Sequence, residues 1–166
     1  MRRFLQIALF ILAFLMIFLS SCGREGKNAA EVFDGFIFEI EKLPDGDILR
    51  SGSIEGSGEY LSESICATLY GERATKDIFP LVENFSIYLC SFAYPFEVAV
   101  FKCYSKSDTD LVSEMCFKRG DMVKVLLHSE GINDVEIRVM TKGNFVAMYI
   151  GTLPKEAERA FDKAMR

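Results

Sequence analysis

The chain contains a single histidine, which limits the catalytic and metal-binding chemistry that its sequence could support. A metal cluster built on several histidines is excluded, and a Ser-His-Asp arrangement would have to use His128. His128 lies near the C-terminal end of a predicted helix, where the dipole favours an imidazolium, and no nucleophile motif surrounds it. Ser105 and Lys106 could be considered as a catalytic pair, but adjacent residues in a strand-to-helix loop seldom direct their side chains together. The sequence therefore predicts no catalytic residue and no cofactor.

Four cysteines follow Cys22, and their positions favour free, buried thiols. All four lie in apolar segments without the C-x-x-C spacing typical of zinc ligands: Cys66, Cys90, Cys103 and Cys116. An even number outside the cytoplasm also permits disulfides, in three possible pairings. One pairing is disfavoured by geometry, because a hairpin turning at residues 93–95 would separate Cys90 from Cys103 by roughly 16 Å along the strands. A disulfide needs less than about 7 Å between Cα atoms.

Two polar loops lack the residues that would make them ligand sites. Asp45 and Asp47 could begin a calcium loop, but Leu49 occupies the third ligand position, so a solvated turn is predicted over residues 44–47. Residues 51–58 are rich in glycine and serine, but no Gly-Lys-Ser/Thr follows them as in a phosphate-binding loop. A flexible loop is the prediction for this segment.

The first 22 residues have the pattern of a secretion signal rather than of a folded element. Arg2 and Arg3 precede an apolar run over residues 7–19, and two small residues follow it. An uncleaved membrane anchor is one alternative, but even residues 4–19 would make a helix only ~24 Å long. The hydrocarbon core of a bilayer is about 30 Å thick. Secretion with release is another alternative, and it requires an A-x-A-like cleavage site that the sequence lacks.

The end of this segment, Leu19-Ser20-Ser21-Cys22, resembles the lipobox of bacterial lipoproteins. In that family the cysteine thiol receives a diacylglyceryl group, and the peptide before it is removed. The resemblance implies that Cys22 is the lipidated N-terminus, with residues 1–21 as signal peptide and residues 22–27 as a short tether. Two acyl chains anchor a protein stably, because each buried methylene contributes about 0.8 kcal/mol. The predicted location is therefore the extracytoplasmic face of the cell membrane.

Charge and length restrict the partners of the remaining chain. Without residues 1–21, which include two arginines and no acids, 17 basic and 24 acidic residues leave a net charge of −7. An acidic chain argues against binding to nucleic acid, and against a second, electrostatic attachment to anionic lipid. The lipid is then the only predicted membrane contact. The length that remains suits one domain, which we assign to residues 28–166.

Apolar periodicity predicts two helices in the first half of this domain. Asn28 and Glu31 have the spacing of a capping box, and apolar residues then recur at helical intervals until residues 44–47. A second helix has apolar residues at i, i+4 spacing over residues 61–69 and is expected to end at Gly71.

The second half predicts two β-hairpins, each followed by a helix. The four strands and the turns between them are expected at 85–92 and 96–104 (turn 93–95), and at 135–139 and 144–150 (turn Lys142-Gly143). Ser107 is the expected cap of a long amphipathic helix that ends at Gly131, and Pro154 begins a last helix. This order predicts an α+β fold with one antiparallel sheet and with helices, including the N-terminal ones, packed on one face. The strand over 96–104 is apolar on both faces, so it is expected in the centre.

Short motifs in the second half of the domain also carry a family resemblance. They are a strand, a helix start, a basic pair and a hairpin: Phe96-Glu97-Val98-Ala99-Val100-Phe101-Lys102, Ser107-Asp108, Lys118-Arg119 and Lys142-Gly143-Asn144-Phe145-Val146. With the lipobox, they resemble a family of small uncharacterised bacterial lipoproteins found mainly in Gram-positive anaerobes. That family has no assigned activity, so the resemblance implies location and fold and no catalytic residue. The distinctive polar residues of these motifs are Glu97 and Arg119. They are either a binding pair or, as is more common, a structural ion pair between sheet and helix.

The predicted function is that of a membrane-tethered, non-catalytic lipoprotein that binds a protein or a cell-envelope ligand. The alternative is an extracytoplasmic hydrolase whose site is assembled only by the fold, and solute capture is a third hypothesis. An enzyme should show a deep pocket with two or more titratable groups facing inward. A binding module should show a shallow, exposed apolar surface or sheet edge.

Overall fold

A computed structural model describes residues 26–40, 43–90 and 96–166 of the chain. The predicted signal peptide, Cys22 and the predicted turn at residues 93–95 lie outside these residues. The main elements, in chain order, are α1 (Ala29–Glu39), β1 (Gly46–Arg50), α2 (Glu63–Tyr70), β2 (Val82–Cys90), β3 (Glu97–Cys103), α3 (Thr109–Ser129), β4 (Glu136–Lys142), β5 (Phe145–Gly151) and α4 (Pro154–Ala164). None of the helices in this part of the chain is both long enough and apolar enough to cross a membrane.

The five strands form one antiparallel sheet in the order β1-β2-β3-β5-β4, and the fold is α+β as predicted. β2 pairs with β3 and β4 pairs with β5, so both predicted hairpins are present, and each is followed by a helix. β3 is the central strand, which confirms the expectation from its two apolar faces. All of its residues except Lys102 are buried, and Lys102 forms an ion pair with Glu83 at 3.0 Å.

Helices cover both faces of the sheet, so the prediction that they would lie on one face is wrong. On one side, which we call the α3 face, α2 and α3 pack against strand residues such as Phe101 and Met148. On the other side, the α1 face, α1 and α4 pack against residues such as Val100 and Tyr149. Successive residues of a strand point to opposite faces, so central strands that are apolar throughout need cover on both sides.

The structure adds an edge strand, β1, whose first two residues fall in the turn predicted at residues 44–47 and whose other residues belong to no predicted element. β1 pairs antiparallel with β2, with Ile48 opposite Tyr88. Its first residue, Gly46, looks like a turn residue, but the pairing itself requires glycine. A Cβ atom at this position would lie 2.6 Å from the ring of Tyr88. The glycine therefore marks a close approach of two strands rather than a reversal of the chain.

The helix ends in this domain follow local signals that the sequence predicts. Asn28 caps α1, and Asn28 and Glu31 form both hydrogen bonds of a capping box. Gly71 follows α2 with φ of 90°, and Gly131 follows α3 with φ of 78°. These are left-handed conformations that glycine adopts at little cost, so each glycine ends its helix as predicted.

Two turns differ from their predictions by one or two residues. Ser107, the predicted cap of the long helix, lies inside a single 3-10 turn that Ser105 and Asp108 cap, and the N-cap position of α3 itself is Asp108. The β4–β5 turn is Gly143-Asn144, one residue later than predicted, with Gly143 at φ of 64°. Both corrections arise because several polar or glycine residues in a row satisfy the same local rules.

Candidate functional site

Glu97 and Arg119, the predicted polar pair, meet on the α3 face of the sheet. Glu97 is the first residue of β3, and Arg119 lies in the middle of α3. Both Nε and Nη2 of Arg119 contact Oε2 of Glu97, at 2.9 and 2.8 Å. A third residue, which the sequence does not single out, is Tyr70 at the end of α2, whose hydroxyl donates to Oε1 of Glu97 at 3.3 Å.

This cluster is closed to solvent. The Glu97 side chain is 4% exposed and the Arg119 side chain 13%. Burial raises the pKa of Glu97, against the lowering effect of Arg119 and of the Tyr70 hydrogen bond. Burial, together with the neighbouring Glu97, also raises the pKa of Tyr70 well above its ordinary value. Both oxygens of the carboxylate are already engaged, so the cluster connects β3, α2 and α3 and does not offer a ligand an open site.

The other residues considered for catalysis are not brought to this cluster. His128 is exposed in the last turn of α3, nine residues beyond Arg119. The hydroxyl of Ser105 accepts from the amide of Ser107 at 3.2 Å, as a helix cap, and is not directed toward a base. Within the ranges that the structure covers, no three His, Cys, Asp or Glu side chains are placed to bind a metal ion.

The thiols of Cys66, Cys90, Cys103 and Cys116 are free, as predicted, but Cys90 is partly exposed rather than buried. Cys90 and Cys103 lie at opposite ends of the β2–β3 hairpin, opposite Phe96 and Val82 respectively. Burial raises the pKa of Cys103 to about 11. Burial, with Glu97 and Cys103 nearby, raises the pKa of Cys116 well above its ordinary value. A thiol is nucleophilic only as thiolate, so these two groups are poor nucleophiles at neutral pH.

A polar groove of about 890 Å³ runs beside α2 and is open to solvent. Its lining comes from the loop before α2, from α2 itself and from the turn after it, and includes Glu55, Glu63, Glu72 and Lys76. The predicted loop over residues 51–58 forms successive turns at one side of this groove. The groove is wide and exposed, unlike the deep pocket with inward-facing titratable groups that is expected of an enzyme.

A shallow apolar surface lies on the second half of α3, and we call it the α3 patch. It consists of Met122, Val125 and Leu126, which are 46%, 70% and 63% exposed. With Asp121 they line a depression of about 430 Å³. The apolar pairs Met122/Val123 and Leu126/Leu127 recur at helical spacing and predict the apolar face of this helix. In the structure Leu127 is buried, whereas Met122 and Leu126 stay exposed.

The described part of the chain is thus a helix-covered antiparallel α+β domain with a buried ion pair between β3 and α3 and an exposed apolar patch on its longest helix. A comparison with known proteins places it in no family, because no family model, no curated protein and no solved structure matches the chain.

Proposed function

We propose that this protein is a lipid-anchored, non-catalytic binding module on the extracytoplasmic face of the membrane, and that its α3 patch contacts a protein or a cell-envelope partner. The observation that carries the proposal is the patch itself. Three adjacent apolar side chains stay exposed on one turn of a long helix, and clustered exposed apolar residues mark interaction surfaces more often than scattered ones do.

The position of the patch relative to the chain start supports this assignment. α1 begins beside the start of β2, where the Ala29 amide donates to Oδ1 of Asn84 at 2.6 Å. Asn84 pairs with Lys102 at the end of β3, whereas Arg119, just before the patch, contacts Glu97 at the start of β3. The patch therefore lies on the opposite face and toward the opposite end of the sheet from the start of α1, the helix that would follow the tether. An anchored domain would present it away from the membrane.

The hydrolase alternative has less support from the geometry. Glu97 and Arg119 are buried against each other, and His128 is exposed elsewhere, so these three residues do not line one pocket. The groove beside α2 has carboxylates, but no nucleophile is held against a base among its lining residues.

Lipid attachment is tested by metabolic labelling with a fatty acid. The intact protein and a Cys90→Ala control should incorporate label, and a Cys22→Ala variant should not, because only the first cysteine follows the small residues of the lipobox. Label in the Cys22→Ala variant equal to that in the intact protein would remove the anchor from the proposal.

The role of the α3 patch is tested by cross-linking in intact cells. A photoreactive side chain at Val125 should give adducts that disappear when Leu126→Lys is added, because a charge in the patch prevents apolar contact. The matched control is the same photoreactive group at Ile54, which is also exposed but lies in the loop after β1. Adducts of equal yield from both positions, or from neither, would contradict a binding role for the patch.

A further inference from the structure

The outer edge of β4 is a second surface with unused binding capacity. β4 pairs with β5 along all seven of its residues without a bulge, and it contains no proline. Lys142 and Phe145 close a two-residue turn, and such closing pairs exchange hydrogen bonds with each other. By alternation, Ile137, Val139 and Thr141 direct their amide and carbonyl groups away from β5.

These outward groups are almost entirely free within the described part of the chain. Among them, only the carbonyl of Ile137 takes part in a hydrogen bond, which it accepts from Nη1 of Arg138 at 3.1 Å. The opposite edge of the sheet differs, because the amide of Arg50 in β1 is bonded to the carbonyl of Glu59 at 2.9 Å. An uncovered edge strand of this length is a template for pairing with another strand.

We infer that β4 pairs antiparallel with β4 of a second copy of this chain, around a twofold axis through Val139, to give a continuous ten-stranded sheet. This register pairs all seven residues and places outward groups opposite outward groups. Val139 then faces the partner's Val139, and Ile137 faces the partner's Thr141. A shift by one residue would set outward groups against inward ones, so alternative registers differ by two.

Charge selects the same register. Centred on Val139, the pairing sets Glu136 opposite the partner's Lys142, and by symmetry it does so twice. A shift by two residues in one direction sets Arg138 opposite the partner's Arg138. A shift in the other direction sets Arg138 opposite the partner's Lys142. Opposite charges across a strand pair stabilise it, and like charges destabilise it. Charged edge residues commonly prevent pairing. Within one chain Lys142 contacts Asp162 at 3.0 Å and Glu136 contacts Arg138 at 2.6 Å, and of these three registers only the one centred on Val139 sets opposite charges across the strands.

The position of α3 beside β4 is consistent with a second copy of the chain at the outer edge of β4. Gly120 of α3 lies so close to Ile137 of β4 that an added Cβ atom would be 2.6 Å from its side chain. Phe117, one turn earlier on α3, is 50% exposed. In a continuous sheet the neighbouring strand is about 4.8 Å away. The α3 helices of both copies would then approach each other and reduce the exposure of Phe117.

The symmetry also suits an anchored protein. A twofold axis normal to the sheet leaves the α1 faces of both copies on the same side, so both chain starts can reach one bilayer. The six residues from Cys22 to Asn28 span at most about 20 Å. The shared attachment of both copies to one bilayer rests on the proposed lipid anchor. The β4 pairing is independent of that anchor.

Disulfide trapping in the full chain tests the register. In cell membranes treated with a mild oxidant, Val139→Cys should give a cross-linked dimer, because residues facing each other in such a pair have Cα atoms about 5.5 Å apart. Thr141→Cys is the matched control on the same strand. It should not cross-link, because it faces the partner's Ile137 and is displaced by about 13 Å along the strand from its own counterpart. The unsubstituted chain controls for the native thiols.

Charge exchange tests the same interface without cysteine chemistry. For the full chain in detergent, with masses from light scattering, Lys142→Glu should weaken dimerisation about tenfold. Glu136→Lys combined with Lys142→Glu should restore it. Thr141→Pro, which removes an outward amide and no bond to β5, should abolish it, and circular dichroism verifies that each variant is folded.

Three results would overturn the inference. The first is a monomeric intact protein with no Val139→Cys dimer. The second is a dimer that neither Thr141→Pro nor the charge reversal affects, which would place the interface elsewhere. The third is a Val139→Cys cross-link to a different polypeptide, which would assign the edge to a foreign strand. A Leu126→Lys variant should leave the mass of the dimer unchanged. The experiments therefore distinguish failure of the binding role proposed for the α3 patch from failure of the β4 pairing.

Discussion

Replacing Arg119 by methionine should make the stability of the domain strongly dependent on pH. The substitution keeps much of the apolar stem but removes both charged hydrogen bonds to Oε2 of Glu97. Only the neutral hydrogen bond from Tyr70 then remains to a carboxylate that is almost entirely buried. Removing one partner of a buried ion pair typically costs about 3–5 kcal/mol.

Protonation of Glu97 limits this cost. A glutamate with an ordinary pKa of 4.5 takes up a proton at pH 7 for about 3.4 kcal/mol, and at pH 5 for about 0.7 kcal/mol. When the free energy of protonating Glu97 is smaller than the cost of burying its unpaired charge, the variant folds with Glu97 neutral. We therefore expect Arg119→Met to lower the free energy of unfolding by about 3 kcal/mol at pH 7 and by about 1 kcal/mol at pH 5.

The direction follows from the pKa of Glu97 in the folded state. Burial raises this pKa above that of the unfolded chain, and loss of Arg119 removes the main influence that lowers it. A raised carboxyl pKa contributes stability that is fully present below pH 4.5 and is lost as the pH rises through the folded-state value. The variant should therefore gain stability, relative to the intact protein, as the pH falls from 7 to 5.

Urea unfolding of residues 28–166 at both pH values measures the effect. Because the chain has no tryptophan, circular dichroism is the suitable signal. The control is Glu97→Gln combined with Arg119→Met, which contains no buried charge and should differ from the intact protein by a nearly constant amount at pH 5 and pH 7. A loss from Arg119→Met alone that is the same at both pH values, or below about 1 kcal/mol at pH 7, would refute the reasoning.

Two further predictions concern packing and the thiols. Gly120→Ala should lower the free energy of unfolding by about 1–3 kcal/mol, because its Cβ atom would lie 2.6 Å from Ile137. Gly58→Ala, whose Cβ atom would meet nothing within 4 Å, should be nearly neutral in the same urea titration, and equal losses would contradict this account. An alkylating agent without reductant should label all four thiols in unfolded residues 28–166 and chiefly the partly exposed Cys90 in the folded protein. Fewer than four labels after unfolding would show that disulfides exist.

The buried pair and the hairpins illustrate how much of the site and fold the sequence predicts. The β2–β3 and β4–β5 hairpins depend on short turns between apolar runs, so neighbouring residues suffice to predict them. The family resemblance singles out Glu97 and Arg119 as either a binding pair or a structural ion pair, and the structure shows the buried ion pair. Tyr70 was not predicted as their third member, since it is 27 residues from Glu97 and nothing local marks it.

Local signals account for the features that the sequence predicts correctly. The capping box at Asn28, the glycines that end α2 and α3, and the central position of β3 depend on backbone conformation and on alternation within a few residues. Three other features depend on tertiary contacts: helices cover both faces of the sheet, Gly46 begins a strand, and Leu127 is buried while Leu126 is exposed. These features depend on which surfaces meet when the chain folds, because a side chain is buried by residues that are distant in sequence. A local sequence pattern does not identify those residues.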